Sequence, residues 1–181
     1  MMRLSAIAAT ALSLLAIGGS AALHVTPWLI WNASASTPVG LYLIQPAGRL
    51  EVADLLVLRP SEPIADFMAA RGYLPLGISL LKRVLALPGQ TVCRSGYSIR
   101  VDGIDMGVAL ENDHLGRPMP VWQSCRKLAE GEIFLMNRQV PDSVDGRYFG
   151  PFPTTAIIGR AIPLWTDEDG DGRFEWFAPT R

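Results

Sequence analysis

At 181 residues, with formal net charge -1 and 49% hydrophobic residues, the chain lacks the basic stripe that a nucleic-acid partner would require. Its two histidines, His24 and His114, and two cysteines outside any C-x-x-C pair argue against a structural zinc site, and no cofactor motif is present. Fourteen prolines and 17 glycines, spread rather than clustered, favour many short strands and turns in a single domain.

The first element is apolar. Arg3 precedes a run from Leu4 to Leu23 without a charged residue, about the length that spans a bilayer and longer than the ~7–15-residue core of a cleaved signal peptide. No further charge occurs before Arg49, which predicts a cytoplasmic N-terminus and an exported remainder. Trp28 and Trp31 suit the headgroup belt. The division expected is therefore a signal-anchor over 1–31 and an exported domain over 32–181, at the periplasmic side of the inner membrane. The alternative is a signal cleaved after Ser20-Ala21-Ala22, leaving a periplasmic protein. In either oxidising setting Cys93 and Cys125 are candidates for a disulfide.

Leu41–Ile44 and Leu55–Leu58 read as short buried strands. Glu62–Arg71 has helical spacing, with Ile64, Phe67 and Met68 on one face and Gly72 as a stop. Ile78–Leu87 is the longest apolar run after the N-terminal one and ends at the Pro88-Gly89 turn. Tyr97–Val101 and Ile104–Val108 flank Asp102-Gly103 as a two-residue hairpin. Glu132–Met136, Ala156–Trp165 and Phe174–Phe177 supply further strands. The sum predicts a mainly β domain, an antiparallel sheet curled or closed on itself, with one or two short helices.

Chemistry centres on Ser36-Thr37-Pro38-Val39-Gly40. A serine hydroxyl is a poor nucleophile until a base removes its proton, and here the usual base, histidine, is nearly absent. A serine–lysine pair is the known alternative. Pro38 and Gly40 would hold a tight backbone that exposes the hydroxyl and turns an amide toward an oxyanion. Equally, the segment could be only a turn into the Leu41 strand. Lys82 lies inside an apolar strand, sharing a face with Leu80, Val84 and Ala86, whereas Arg83 shares the other with Leu81, Leu85 and Leu87. Burial there lowers the lysine pKa and yields an amine able to act as a base; Arg83 is the better candidate to reach the domain edge.

Three segments carry a family resemblance: Asn32–Tyr42 around Ser36, Leu81-Lys82-Arg83-Val84 with Pro88-Gly89, and Asp145-Gly146-Arg147-Tyr148-Phe149-Gly150-Pro151. In this order they resemble the signal peptidase I superfamily, most closely its TraF-type conjugal transfer peptidases. Signal peptidase I has Met-x-Pro after the serine; here Pro38 comes one residue earlier and Gly40-Leu41-Tyr42 follows, as in TraF-like chains. The resemblance implies Ser36 as nucleophile, Lys82 as general base and Ser34 as an oxyanion-hole hydroxyl. It also implies that Asp145 and Arg147 support the lysine region, and that Ser143 hydrogen-bonds the lysine. Gly146 stands where related chains carry serine, so no direct role is expected of it.

Asp167-Glu168-Asp169-Gly170-Asp171-Gly172 matches the first half of an EF-hand loop, but Ala178 occupies the twelfth position instead of glutamate. A solvated acidic turn is the expectation, and no metal. The leading functional expectation is a membrane-anchored serine endopeptidase that removes the leader of an exported partner, a pilin of a conjugative secretion apparatus. A general signal peptidase I is the enzymatic alternative, and a periplasmic β-rich assembly factor of a secretion system the non-enzymatic one.

Overall fold

Two antiparallel sheets form the domain in a computed structural model that describes residues 7, 9–15, 19 and 28–179. The larger is built from β1 (Leu29–Asn32), β2 (Val39–Gln45), β3 (Leu55–Leu58), β4 (Leu80–Ala86), β9 (Glu132–Leu135), β10 (Phe152–Pro153), β11 (Ile157–Asp167) and β12 (Glu175–Trp176). Its order is β1-β2-β11-β3-β4-β9-β10, with β12 paired to β11. The smaller sheet runs β7-β6-β5-β8, from β5 (Thr91–Ser95), β6 (Ser98–Val101), β7 (Ile104–Val108) and β8 (Ser124–Lys127). Within the sheet domain the described residues form two short α-helices, α1 (Glu62–Ala70) and α2 (Gly146–Phe149).

The mainly β expectation is met, with a curled half-barrel rather than a closed one, since the strand path ends at β1 and β10 without pairing them. Among the described residues no helix is long and apolar enough to cross a membrane. Residues 9–15 are helical and exposed, but most of the 4–23 run, and hence the expected anchor, lies outside the described residues.

Strand β3 shows why the sheet curls around two cores. All four of its residues are buried, as expected of an apolar run covered on both faces. Leu56 and Leu58 join Met68 of α1, Leu80, Val84, Ile133, Leu135 and Phe152 on one side. Leu55 and Val57 join Tyr42, Ile44, Leu81 and Ala161 on the other. Each such side chain contributes roughly 1.5–3 kcal/mol on burial. Leu85, Ala86, Val92, Ile99, Val101, Leu128, Phe134 and Met136 fill a third core that joins the two sheets. Ala86 thus packs with Leu85 and not with Lys82, because a bulge between Val84 and Ala86 breaks the expected alternation.

The expected hairpin is β6–β7, with positive φ at Asp102 and Gly103 as a two-residue turn demands. The disulfide between Cys93 and Cys125 is present, joining directly opposed residues of β5 and β8. Gly40 has a role other than the expected one. It lies in β2 at φ 149, and a Cβ there would collide with the Trp165 carbonyl oxygen and stand 2.7 Å from Thr166 Cα. Its smallness lets β11 close onto the strand leaving the Ser36 turn.

Candidate active site

Ser36 sits half-buried in the turn between β1 and β2. The turn is organised by Asn32, the last residue of β1, whose side chain is buried. Asn32 Oδ1 accepts from the Ser34 N–H (3.1 Å) and the Ser34 hydroxyl (3.0 Å). Its Nδ2 faces the carbonyls of Ser34 (2.8 Å), Thr37 (3.0 Å) and Pro38 (3.0 Å) and the Thr37 hydroxyl (2.9 Å). The Tyr42 hydroxyl donates to the Pro38 carbonyl at 2.7 Å. Ser34 Oγ then lies 3.2 Å from Ser36 Oγ.

Lys82 projects from β4 into the same place, only 3% exposed. Its Nζ lies 3.2 Å from Ser36 Oγ and donates to Ser143 Oγ at 2.8 Å. Burial pushes its pKa down to about 8 from 10.5; Asp145 resists that shift and Arg147 adds to it. A substantial fraction is therefore neutral near physiological pH, the state a general base needs. Its neighbour Arg83 is half-buried and donates to the Ala53 carbonyl at 3.2 Å, reaching the domain edge.

Asp145 and Arg147 form the floor, 0% and 1% exposed. The guanidinium engages both carboxylate oxygens, Nε to Oδ1 and NH2 to Oδ2, each at 2.9 Å. Asp145 also caps α2 by accepting from the Arg147 N–H (3.1 Å), while Oδ2 accepts from the Asn137 N–H (3.0 Å). The remaining guanidinium hydrogens reach the carbonyls of Pro141 (2.9 Å), Val140 (2.8 Å) and Ser143 (3.1 Å). The pair does not touch Lys82. It holds the loop that presents Ser143 to Lys82. Gly146 shows why serine is not tolerated between them: a Cβ would stand 2.6 Å from the Leu135 carbonyl oxygen and 3.0 Å from the Phe134 ring.

Two cavities, about 870 and 800 Å³, meet at the serine, and Ala35, Ser36 and Val140 line both. The first is bordered by Arg83, Met136 and Glu168, the second by Ile30, Leu80 and Lys82. A cleft running past Ser36 on both sides suits an extended chain more than a small molecule. All six residues singled out around Ser36 and Lys82 lie in this one region. Sequence reasoning gave no role to Asn32 or to Asn137, whose side chain donates to the Ser36 carbonyl (2.6 Å). Their only signal was a polar side chain closing an apolar run, which reads equally as the start of a turn.

The acidic loop borders the first cavity through Asp167, Glu168 and Asp169. Asp167 spends its carboxylate on the loop's own N–H groups, from Asp171 (3.1 Å) and Gly172 (2.9 Å). Among the described residues no group of three or more His, Cys, Asp or Glu side chains is placed to hold a metal.

A family model described as signal peptidase, peptidase S26, matches residues 1–165. A plasmid transfer protein TraF from Escherichia coli is 34% identical over 88% of this chain and 93% of its own length. A conjugal transfer protein TraF from Agrobacterium fabrum is 32% identical over 75% of this chain and 81% of its own. Among solved structures, a signal peptidase I from Enterococcus faecalis aligns with 19% identity over 63% of this chain and 97% of that one, at TM-score 0.37, too loose an overlap to carry an argument.

Proposed function

Because the chain belongs to the signal peptidase family, peptidase S26, we propose that it is a serine endopeptidase working through Ser36 and Lys82, and that it removes the leader of an exported precursor. The observation that carries this reading is the buried Lys82 amine, 3.2 Å from Ser36 Oγ with a pKa of about 8. Neutral Nζ takes the hydroxyl proton as Ser36 Oγ attacks the scissile carbonyl carbon. The carbonyl oxygen becomes an oxyanion between the Ser36 N–H and the Ser34 hydroxyl. Ser34 can turn its hydroxyl there at little cost, since its own N–H keeps Asn32 Oδ1 satisfied. Protonated Lys82 then gives its proton to the departing amine, leaving an ester on Ser36. Attack on the ester by water, or by the substrate's own amino group, needs the same base and restores the serine.

Relatives whose names place them in plasmid and conjugal transfer support a substrate from the same setting. We assign the chain a conjugative pilin precursor, cut at the outer face of the inner membrane beside the secretion apparatus. The test is the mass of the pilin made with this chain, without it, and with Ser36→Ala. A leader lost only with the wild-type chain supports the reading; a product lighter by one further water marks cyclisation. Full processing by Ser36→Ala overturns it. Equal cutting of general secretory precursors moves the reading to a general signal peptidase.

A further inference from the structure

The turn that bears Ser36 leads into a strand that is not a neighbour of the one bearing Lys82. In the order β2-β11-β3-β4, two strands lie between the one that leaves the serine turn and the one that bears the lysine. Three strand spacings amount to about 14 Å in a flat sheet. The register also aligns Lys82 with Leu56, Arg160 and Gln45, so the serine turn is displaced along the strands as well, and only the twist and curl of the sheet bring the two side chains together. Something has to fix the gap.

Strand β9 pairs with β4 as far as Leu135, opposite Val84, and one more bond runs from the Met136 N–H to the Arg83 carbonyl at 3.0 Å. There the chain turns away toward Ser143, and the edge of β4 at Lys82 loses its backbone partner. The Asn137 side chain takes its place. Oδ1 accepts from the Arg83 N–H (3.0 Å) and Nδ2 donates to the Leu81 carbonyl (3.3 Å). A carboxamide offers the same acceptor and donor as a peptide group, so it continues the ladder on both sides of Lys82. The second Nδ2 hydrogen is the one that reaches the Ser36 carbonyl at 2.6 Å, 101 residues away in sequence. The residue's own N–H is held by Asp145 Oδ2, and its carbonyl accepts from Arg147 NH2 at 3.3 Å. The side chain is buried, and both its donor hydrogens and its oxygen are engaged.

We propose that Asn137 is the positioning residue of the pair: its carboxamide bolts the Ser36 carbonyl to the backbone flanking Lys82 and sets the distance between hydroxyl and amine. The inference rests on the peptidase reading above. Asn137 touches neither reacting atom and, although it borders the first cavity, is only 3% exposed, so its loss falls mainly on the chemical step. A misplacement of about 1 Å in a reacting pair costs about a hundredfold.

The experiment measures acylation of Ser36 by an acyl-type serine-directed inhibitor on the full chain in detergent, across pH, for wild type, Asn137→Ala, Asn137→Asp and a Ser36→Ala blank. Cleavage of the pilin precursor is followed in parallel. Asn137→Ala is expected to acylate about 10–100-fold more slowly at saturating inhibitor, with the KM for precursor largely unchanged. Asn137→Asp keeps the bond from the Arg83 N–H but sets a carboxylate oxygen against two carbonyls and a negative charge beside Lys82. Its rate is expected to fall and its pH midpoint to move up by about one unit. A role confined to stability would move neither pH midpoint nor saturated rate. If Asn137→Ala does not fold, the shape-conserving Asn137→Asp decides alone. Wild-type rates and midpoint in the variant that folds overturn the inference while labelled wild type leaves the peptidase standing. An unlabelled wild type overturns both.

Discussion

The two halves of the site are held in opposite ways. Around Ser36 the bonds are neutral and, apart from the one from Asn137, local: Asn32 ties residues two to six positions ahead of it, and the turn remains open to the cleft. Around Lys82 they are long-range and partly ionic, with a fully buried Asp145–Arg147 pair bracing the loop that carries Ser143. A serine in the proposed role of nucleophile must meet substrate, so its turn can be fixed only from behind. A base with a lowered pKa must be kept from water, and only a wall of satisfied polar groups can be buried beside it without leaving orphaned charges. The comparison is sharpest if each half can be damaged without the other.

The largest effect is expected from the ionic half. Arg147→Met removes the partner of a buried carboxylate and frees the carbonyls of Pro141, Val140 and Ser143. Breaking a buried pair by removing one member costs about 3–5 kcal/mol, so urea unfolding should shift by that amount, and cleavage should fail as Ser143 drifts from Lys82. The double change Asp145→Leu with Arg147→Met should regain part of the stability but not the activity. If both return, the pair only fills space.

Lys82 itself gives the next effect, with opposite signs for stability and activity. Its folded pKa of about 8 lies below the ordinary 10.5. Below pH 8 both folded and unfolded chains hold the proton, and the folded state bears the full cost of a buried ammonium. Between 8 and 10.5 only the unfolded chain keeps it, so stability rises with pH; above 10.5 the cost is gone. At about 1.4 kcal/mol per unit, the penalty below pH 8 is roughly 3 kcal/mol, less whatever the Ser36 and Ser143 hydroxyls lose with their partner. Lys82→Met should therefore be inactive yet more stable than wild type at pH 6, with the gain fading by pH 10. In the wild type, cleavage should climb through a midpoint near pH 8. A pH-independent difference in melting between the two chains would place the wild-type amine in water.

Much of this arrangement could be read from sequence, and the unread part has a common cause. Ser36 and Lys82 stood out because each contradicts its surroundings: a serine without a histidine, and a lysine in a strand whose apolar side chains are all buried. Leu55–Leu58 and the Asp102-Gly103 hairpin were legible because period and turn chemistry are local. Strands β5 and β8 were not, since TVCRS and SCRK offer no apolar run, and β8 is exposed throughout. Nor was the bulge after Val84, which depends on β9, some fifty residues later. Gly40 was read as part of the serine turn, but its smallness answers to Trp165 and Thr166. Asn137 pairs as if it were backbone, and no spacing announces that. Asn32 apart, whose bonds are local, what was missed is a close approach between segments far apart in the chain.

The smallest effect should come from the neutral half. Asn32→Ala deletes the amide behind the serine turn, yet most of what it bonds finds another partner. The Pro38 carbonyl keeps the Tyr42 hydroxyl at 2.7 Å, and the Ser34 groups are exposed enough to bind water. Only the Thr37 carbonyl and hydroxyl, in a buried residue, lose a bond made inside the protein. One or two such losses cost about 1–2 kcal/mol, well under the damage expected at Arg147, and Lys82 should titrate as before. Activity should nevertheless fall, about tenfold, because the Ser34 N–H loses the oxygen that anchors the residue, and its hydroxyl is no longer held in reach of the oxyanion. Asn32→Asp separates the two duties: its carboxylate still accepts from Ser34 but repels the carbonyls of Ser34, Thr37 and Pro38. If Asn32→Ala instead unfolds the domain, or shifts the pH midpoint of cleavage, the two halves are one unit and the contrast between them fails.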